Sequence, residues 1–295
     1  MMHPPVPDNC GEVLGAPSFE FLTETQTTPY SRTQEEISVL VESLLSDPSL
    51  RYIDSMTNPE IGGYSVFKVD SKDPRSDVGK TLEETIFSKE SGYEAGFIES
   101  NFAPYDNNST FMILVDPTDQ DDQKAVGALR IIDCTKGSSE TVSMFKEFYP
   151  DKSLPPELTV QEGEDLWDIL TIVMEPEYRN GVNSAWLYHA LYRFSEESNV
   201  RKCIANITPR EVRNLREFIG MPFIEIPGVD EVVDVVDGKE SVYGFYTLDS
   251  TTLLPSISAR IIEIEQSLID GTTEMKEVDE LLVKVARVFL FGYSD

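Results

Sequence analysis

The sequence predicts an α/β protein built on one mixed sheet, and three observations predict it. Residues 166–174 are nearly all apolar, stop at a polar loop, and are followed by a helix-period segment and a further apolar run at 202–207. That β–α–β order requires a right-handed crossover and a parallel strand pair. Residues 111–115 and 125–132 are apolar runs on either side of an Asp-rich turn, which is the pattern of an antiparallel hairpin. From Pro255 onward the apolar spacing is wholly helical.

The remaining elements follow in order. Residues 1–32 are rich in Pro, Thr and Gly without a period, and read as a flexible tail or a strap over the surface. Thr33 and Glu36 form a capping box, and Ile37, Leu40, Val41, Leu44 and Leu45 then recur at helical spacing. A strand is expected at 63–69 on β-propensity. A second capping box, Thr81 to Glu84, is expected to open a helix through Phe87. Residues 135–164 read as a polar insertion with one short helix. Thr208-Pro-Arg-Glu211 is the strongest helix start, with an N-cap Thr and Pro at the first helical position. Its helix is expected to run to Ile219. A strand follows at 242–248. The chain thus divides into a tail (1–32), a folded α/β domain (33–252) and a helical extension (253–295). The apolar end of that extension, Val285 to Phe291, either packs on the sheet or makes a homodimer contact.

Composition narrows the function. Of 295 residues, 40% are hydrophobic, enough for a core, and 53 Asp and Glu against 24 Lys and Arg give a formal charge of −29. Nucleic acid and anionic membrane surfaces are unsuited partners for such a chain. The acidity fits a salty habitat or high solubility. No apolar run is long enough for a membrane span, and the N-terminus lacks the apolar core of a signal peptide. Cys10, Cys134 and Cys203 are too far apart for a disulfide framework or zinc spacing, and His3 and His189 add no metal cluster. A reduced, cytoplasmic, metal-free protein is expected.

The densest stretch is Ile172 to Leu187, where the apolar strand meets Pro176-Glu177-Tyr178-Arg179 and a helix begins. Strand, loop and helix N-terminus together make a backbone anion cradle. From Arg179 to Arg216 there are seven basic residues against three acidic, a local charge of +4 in an otherwise acidic chain. An anionic ligand suits that island, although solvated helix faces would give the same pattern.

These residues resemble the GNAT acyltransferase superfamily, over about residues 60–250. Pro176-Glu177-Tyr178-Arg179, and Leu187 and Leu191 on the helix, fall where that family's pattern has them. Val182 and Ser184 stand at its two glycine positions, with Gly181 one place early. Asn214 and Phe218-Ile-Gly-Met-Pro-Phe223 resemble its closing motif, with Phe218 at the position of the frequent tyrosine acid and Pro222 at that of the glycine. The early part, Phe67 to Gly92, is faintly similar to the acyl-homoserine-lactone and N-acyl amino acid synthase branch. The resemblance implies a mixed sheet whose central strand runs into a pyrophosphate loop and helix. It implies acetyl-CoA or a longer acyl-CoA as co-substrate, held at Val173, Arg179, Asn180, Gly181, Val182, Asn183, Ser184 and Asn214. It also implies a small-molecule or peptide amine as acceptor.

The candidate bases are Asp168, whose pKa desolvation would raise, and Glu175. Tyr188 and Tyr192, off the apolar face of their helix, and Cys203 read as structural, and His189 reads as a surface or edge residue. Two other readings stay open: an N-acyl synthase with acyl carrier protein as donor, and a non-catalytic thioester-binding module, to which Val182, Phe218 and Pro222 point.

Overall fold

The computed structural model describes residues 28–54, 64–116, 124–179, 181–236 and 239–269. The predicted hairpin is present as β3 (Ser109–Asp116) and β4 (Lys124–Asp133), antiparallel along their length. Before it come α1 (Gln34–Ser46), β1 (Arg51–Asp54), β2 (Ser65–Asp70), α2 (Asp77–Ser91) and α3 (Phe97–Phe102). After it come α4 (Glu140–Phe148), β5 (Leu166–Met174), α5 (Gly181–Glu197), β6 (Lys202–Ile207) and α6 (Pro209–Asn214). The described chain closes with β7 (Ile224–Glu225), β8 (Val232–Val236), β9 (Lys239–Asp249) and α7 (Leu253–Ile269).

The strands lie in the order β1-β2-β3-β4-β5-β6-β9-β7, with β8 paired to β9 off that path. All neighbours are antiparallel except β5 and β6, the parallel pair that the β–α–β pattern required. Mixed sheet, central strand, loop and long helix stand in the order expected from the sequence.

Alternation along the strands sends side chains to two separate cores. Val66, Met112, Leu114, Leu129 and Trp167 face α5, whose residues 185–191 are all buried. Phe67, Val69, Phe111, Ile113 and Val173 face α1 and α2. A smaller third core gathers Phe145 of α4, Ile204 of β6 and Phe245 of β9. Leu253 and Ile257, at the start of α7, are buried in the α5-side core. The apolar 285–291 segment and the first 27 residues lie outside the described residues.

Local signals hold where the chain has no competing partner. Thr33 caps α1 reciprocally with Glu36, and Thr208 caps α6 through the Glu211 N–H at 3.2 Å. The Thr81–Glu84 box, by contrast, lies inside α2, which starts at Asp77. An Asp73-capped turn at Pro74–Ser76 already initiates that helix. Its two polar residues serve tertiary contacts instead: Thr81 Oγ1 donates to Pro29 O, and Glu84 accepts from Gly96 N at 2.8 Å. The α6 helix does not run on regularly; residues 215–219 continue it as a π turn closed by Gly220 at φ 79°. β1, α3 and β8 are short elements without a sequence period. Tyr188, expected off the apolar face, and His189, expected at the surface or an edge, are both buried, because residues 185–191 of α5 are covered all round.

Candidate active site

The site begins with an irregularity in β5. Arg130 pairs with Thr171 and Ile131 with Ile169, which leaves Leu170 as an extra residue, a bulge. A bulge bends its strand and sharpens the twist. Pairing with β6 covers only Leu166, Trp167 and Asp168. Beyond that point the two strands diverge, and a cavity of about 710 Å³ opens in the fork. Its floor is residues 169–172 of β5 and 206–208 at the end of β6. Tyr188 lines it from the α5 side, and Phe87, Tyr93, Phe97 and Phe102 line it from the α2–α3 side, so the space reaches both faces of the sheet.

Its polar lining is acidic. Glu90, Glu140, Glu147, Glu211 and Asp234 line the cavity, with no Lys, Arg or His among the described lining residues. Glu140 is the first residue of α4, half-buried. A helix N-terminus ordinarily favours a carboxylate. Here Asp168 takes those amides instead. Its fully buried carboxylate accepts from Ser139 Oγ (2.7 Å), Thr141 Oγ1 (2.7 Å) and Thr141 N (2.8 Å), and also from the Glu140 N–H. Glu140 is left with burial and like charges, and its carboxyl is pushed up to about 8, by desolvation first, then by Asp168, Asp234 and Glu147. A carboxyl that titrates near neutrality in a cleft has the properties of a general base. Sequence reading passed Glu140 over because it sits in a polar insertion; the only available signal was the helix start at Ser139.

The two expected bases are placed apart from this chemistry. Asp168 is outside the cavity lining, and its oxygens fix α4 against β5. Burial raises its pKa, as expected, against those hydrogen bonds. Glu175 continues the β4–β5 ladder, donating its N–H to Val126 O at 2.9 Å, and lines a smaller hollow beside Lys124 and Lys89.

The cradle residues lie between β5 and the first turn of α5. Arg179 donates from Nε to Met174 O at 2.9 Å and is ion-paired with Glu90, which ties the loop to the cavity rim. Asn183 is buried and donates to Tyr178 O at 3.0 Å and Tyr64 Oη at 3.4 Å. Ser184 is half-buried, its hydroxyl beside Met174 Sδ. Gly181 and Val182 contribute backbone to the first turn, and Asn180 lies outside the described residues. Val173 points to the α1–α2 core, so only its backbone is available to the fork. Asn214 is exposed on the cavity rim.

The basic island is dispersed by folding. Arg216 donates twice to Phe223 O, Lys202 donates to Pro156 O, and Arg193 meets Glu197 at 3.5 Å. Arg201, Arg210 and Arg213 are exposed and make no ion pair among the described residues.

Two thiols are unsuited as nucleophiles. Cys203 is fully buried and pushed up to about 12, and burial raises Cys134 as well. Tyr188 is held protonated by burial. Tyr93 and Tyr243 are hydrogen-bonded to each other across the cavity wall. Among the described residues, no helix is long and apolar enough to cross a membrane, and no group of three or more His, Cys, Asp or Glu is placed to hold a metal ion.

No protein-family model matches the chain, and a search of curated proteins finds no match. Solved structures with a similar arrangement include FeeM, an N-acyl amino acid synthase from uncultured soil microbes. It is 13% identical, with 66% of this chain and 96% of that one covered at a TM-score of 0.44. BjaI, a CoA-dependent acyl-homoserine lactone synthase with SAM and isopentyl-CoA, is 15% identical over 65% of this chain and 86% of its own, at a TM-score of 0.42. Arabidopsis thaliana NAA60 in complex with a bisubstrate analogue is 16% identical over 63% and 98%, at a TM-score of 0.41.

Proposed function

We propose that this chain is an acyltransferase that moves an acyl group from a coenzyme A thioester to an amine. The observation that carries the reading is the fork. A bulged central strand leaves its parallel neighbour after three residues, and the gap holds a cavity that combines backbone unpaired with β6 and a near-neutral carboxyl.

The residues present fit a thioester donor. The first-turn amides of the 17-residue helix α5, from Gly181 to Ser184, would supply hydrogen-bond donors to a pyrophosphate. Backbone freed from β6 at residues 169–173 can hydrogen-bond the pantetheine arm and hold the thioester carbonyl. Glu140 takes a proton from the acceptor's ammonium, giving a neutral amine and a neutral carboxyl. The amine nitrogen then bonds to the thioester carbon, the carbon–sulfur bond breaks, and the second nitrogen proton ends on the departing sulfur. The Tyr188 hydroxyl, firmly protonated, supplies a hydrogen bond on the α5 side of the fork.

The donor's carrier is a second question. Arg210 and Arg213 are exposed on α6 beside Glu211 and Asn214 at the cavity rim. That placement favours an acidic acyl carrier protein as an alternative to free coenzyme A, since exposed cations steer an acidic partner.

Thermal unfolding with acetyl-CoA, coenzyme A and a long-chain acyl-CoA tests the reading. Ligand at a hundred times its dissociation constant adds about 2.7 kcal/mol of stability. A shift with thioesters, with thiol release once an amine is added, is the expected result. No shift and no thiol release with any thioester or acyl carrier protein would overturn it.

A further inference from the structure

We infer, on the reading that the fork takes an amine acceptor, that this acceptor is an arylalkylamine, its ammonium at Glu140 and its ring between the aromatic residues of α2–α3 and Met144 and Phe148 of α4. The cavity separates two of the three cores. On the β5 face turned away from α5, Leu166 enters the third core and Val173 the α1–α2 core. Between them Asp168 turns to α4 and Thr171 to α2. Phe87 borders the gap from the α1–α2 core, and Met144 and Phe148 border it from the third. These three, with Tyr93, Phe97 and Phe102, line the cavity and are only half-buried. Large apolar side chains left half-covered around one cavity are the usual lining of a small-molecule site.

The α2–α3 wall is a continuous run of rings. Tyr93 stacks on Phe97 with centroids 4.2 Å apart, and Phe87 lies 6.4 Å from Tyr93 and meets Phe102 edge-on at 6.3 Å. A ligand ring extends that array and gains more than its buried area alone. On α4, Glu140, Met144 and Phe148 are four residues apart and share one helix face. Met144 and Phe148 therefore stand about 6 and about 12 Å along the axis from the base. Two hydrogen bonds tie the walls together: Tyr93 with Tyr243 of β9, which packs against the third core, and Tyr105, three residues past Phe102, with Ser143 of α4. Tyr105 also feels the charge of Glu140, so the rings, the base and the α4 apolar face belong to one space. The charge of the lining selects the amine over an acyl chain as occupant. Its ionisable side chains include carboxylates and no Lys, Arg or His among the described lining residues, and an amine supplies the cation that a neutral chain lacks.

Calorimetric titration of the full chain with 2-phenylethylamine, 2-cyclohexylethylamine, methylamine and 3-phenylpropanoate, with and without coenzyme A, is the test. 2-Phenylethylamine should bind about tenfold tighter or more than methylamine, which has no apolar body, and than 3-phenylpropanoate, which carries the wrong charge. 2-Cyclohexylethylamine, of similar bulk without an aromatic face, should bind about threefold more weakly. Phe97→Ala and Met144→Ala should each cut the preference for 2-phenylethylamine over methylamine about fivefold or more; circular dichroism verifies their folding. Acetyl-CoA and octanoyl-CoA are then added and products weighed by mass spectrometry. No amine binding, equal binding of any of the other three compounds, or an unchanged preference in both variants overturns the inference and leaves acyl transfer standing. Variants that weaken octanoyl-CoA and spare 2-phenylethylamine would give the rings to the acyl chain, again overturning the inference alone. Binding of 2-phenylethylamine with no acylated product from any thioester overturns acyl transfer, and with it the acceptor role, while the amine site remains.

Discussion

Thr171 of the central strand donates its hydroxyl hydrogen to Glu83 of α2, and both residues are buried. Glu83 is in turn paired with the fully buried Arg130 at 3.2 Å. Arg130 also donates to Tyr30 Oη (3.0 Å), Phe102 O (2.9 Å) and Asp106. One guanidinium thus joins the residue-30 strap, α2, α3 and β4 directly below the bulge that opens the fork. Polar groups buried this deeply are costly unless every partner is present.

Removing one partner therefore costs more than the pair contributes. Glu83→Ala leaves a buried cation facing Asp106 alone, and should destabilise the protein by about 3–5 kcal/mol in urea titration. Thr171→Val removes only the hydroxyl and should cost about 1–3 kcal/mol. A Glu83→Leu/Arg130→Met double variant should recover much of the loss, since paired burial is often near neutral against apolar replacement.

Gly79 of α2 tests packing against propensity. Alanine in a helix is favoured over glycine by about 1 kcal/mol. An added Cβ, however, would stand 2.5 Å from Phe111 Cδ1, on a ring that is itself fully buried. Overpacking of that kind costs about 1–3 kcal/mol, so Gly79→Ala should lower the melting temperature. A rise would show that the ring yields freely.

Glu140 sets a pH dependence of defined sign. Its carboxyl titrates near 8 in the folded chain, against an ordinary value of 4.5. The folded state holds this proton more tightly than the unfolded chain. The group's contribution is therefore full below about pH 4.5 and is lost as pH rises through about 8. Activity follows the opposite slope, because the base is the ionised form. The kcat/KM profile should climb to a plateau above about pH 8. Glu140→Gln should flatten the stability limb and slow turnover about 10²–10⁴-fold. A variant with full activity would remove Glu140 from the mechanism.

His189 governs the acid side. Burial, followed by the charge of Arg193, pulls it down to about 4 from 6.5. The unfolded chain takes up this proton first, so stability falls as pH drops from about 6.5 towards 4. Chemical denaturation at pH 7 and pH 5 should show the loss in the native chain and a smaller one in His189→Gln.

Asp168 separates a structural carboxylate from a catalytic one. Asp168→Asn loses acceptors for Ser139, Thr141 and the Glu140 N–H, so it should destabilise the fold and disturb the placement of Glu140. Stability should drop by about 1–3 kcal/mol, with kcat reduced less than a hundredfold. A kcat loss of 10³ or more with stability retained would return Asp168 to the role of base.

The sequence by itself determined the mixed sheet, the hairpin, the parallel pair and the long helix after Pro176-Glu177-Tyr178. Each is a local run whose apolar period matches the face it buries, so no distant residue is needed to read it. It also marked Asp168 as a buried carboxylate and the residue 179–184 segment as the loop joining β5 to α5. Tertiary structure decided where the charges went. Arg179 turned to Glu90, Arg216 to Phe223 O, and Asp168 to the amides of α4, because a charge's partner is set by contact across sequence separations that carry no period. The cavity itself depends on one extra residue, Leu170, whose bulge appears only when β5 is laid against β4. Glu140 acquires its near-neutral titration for the same reason: the groups that set it come from β5, β8 and α4, and only folding brings them to one place.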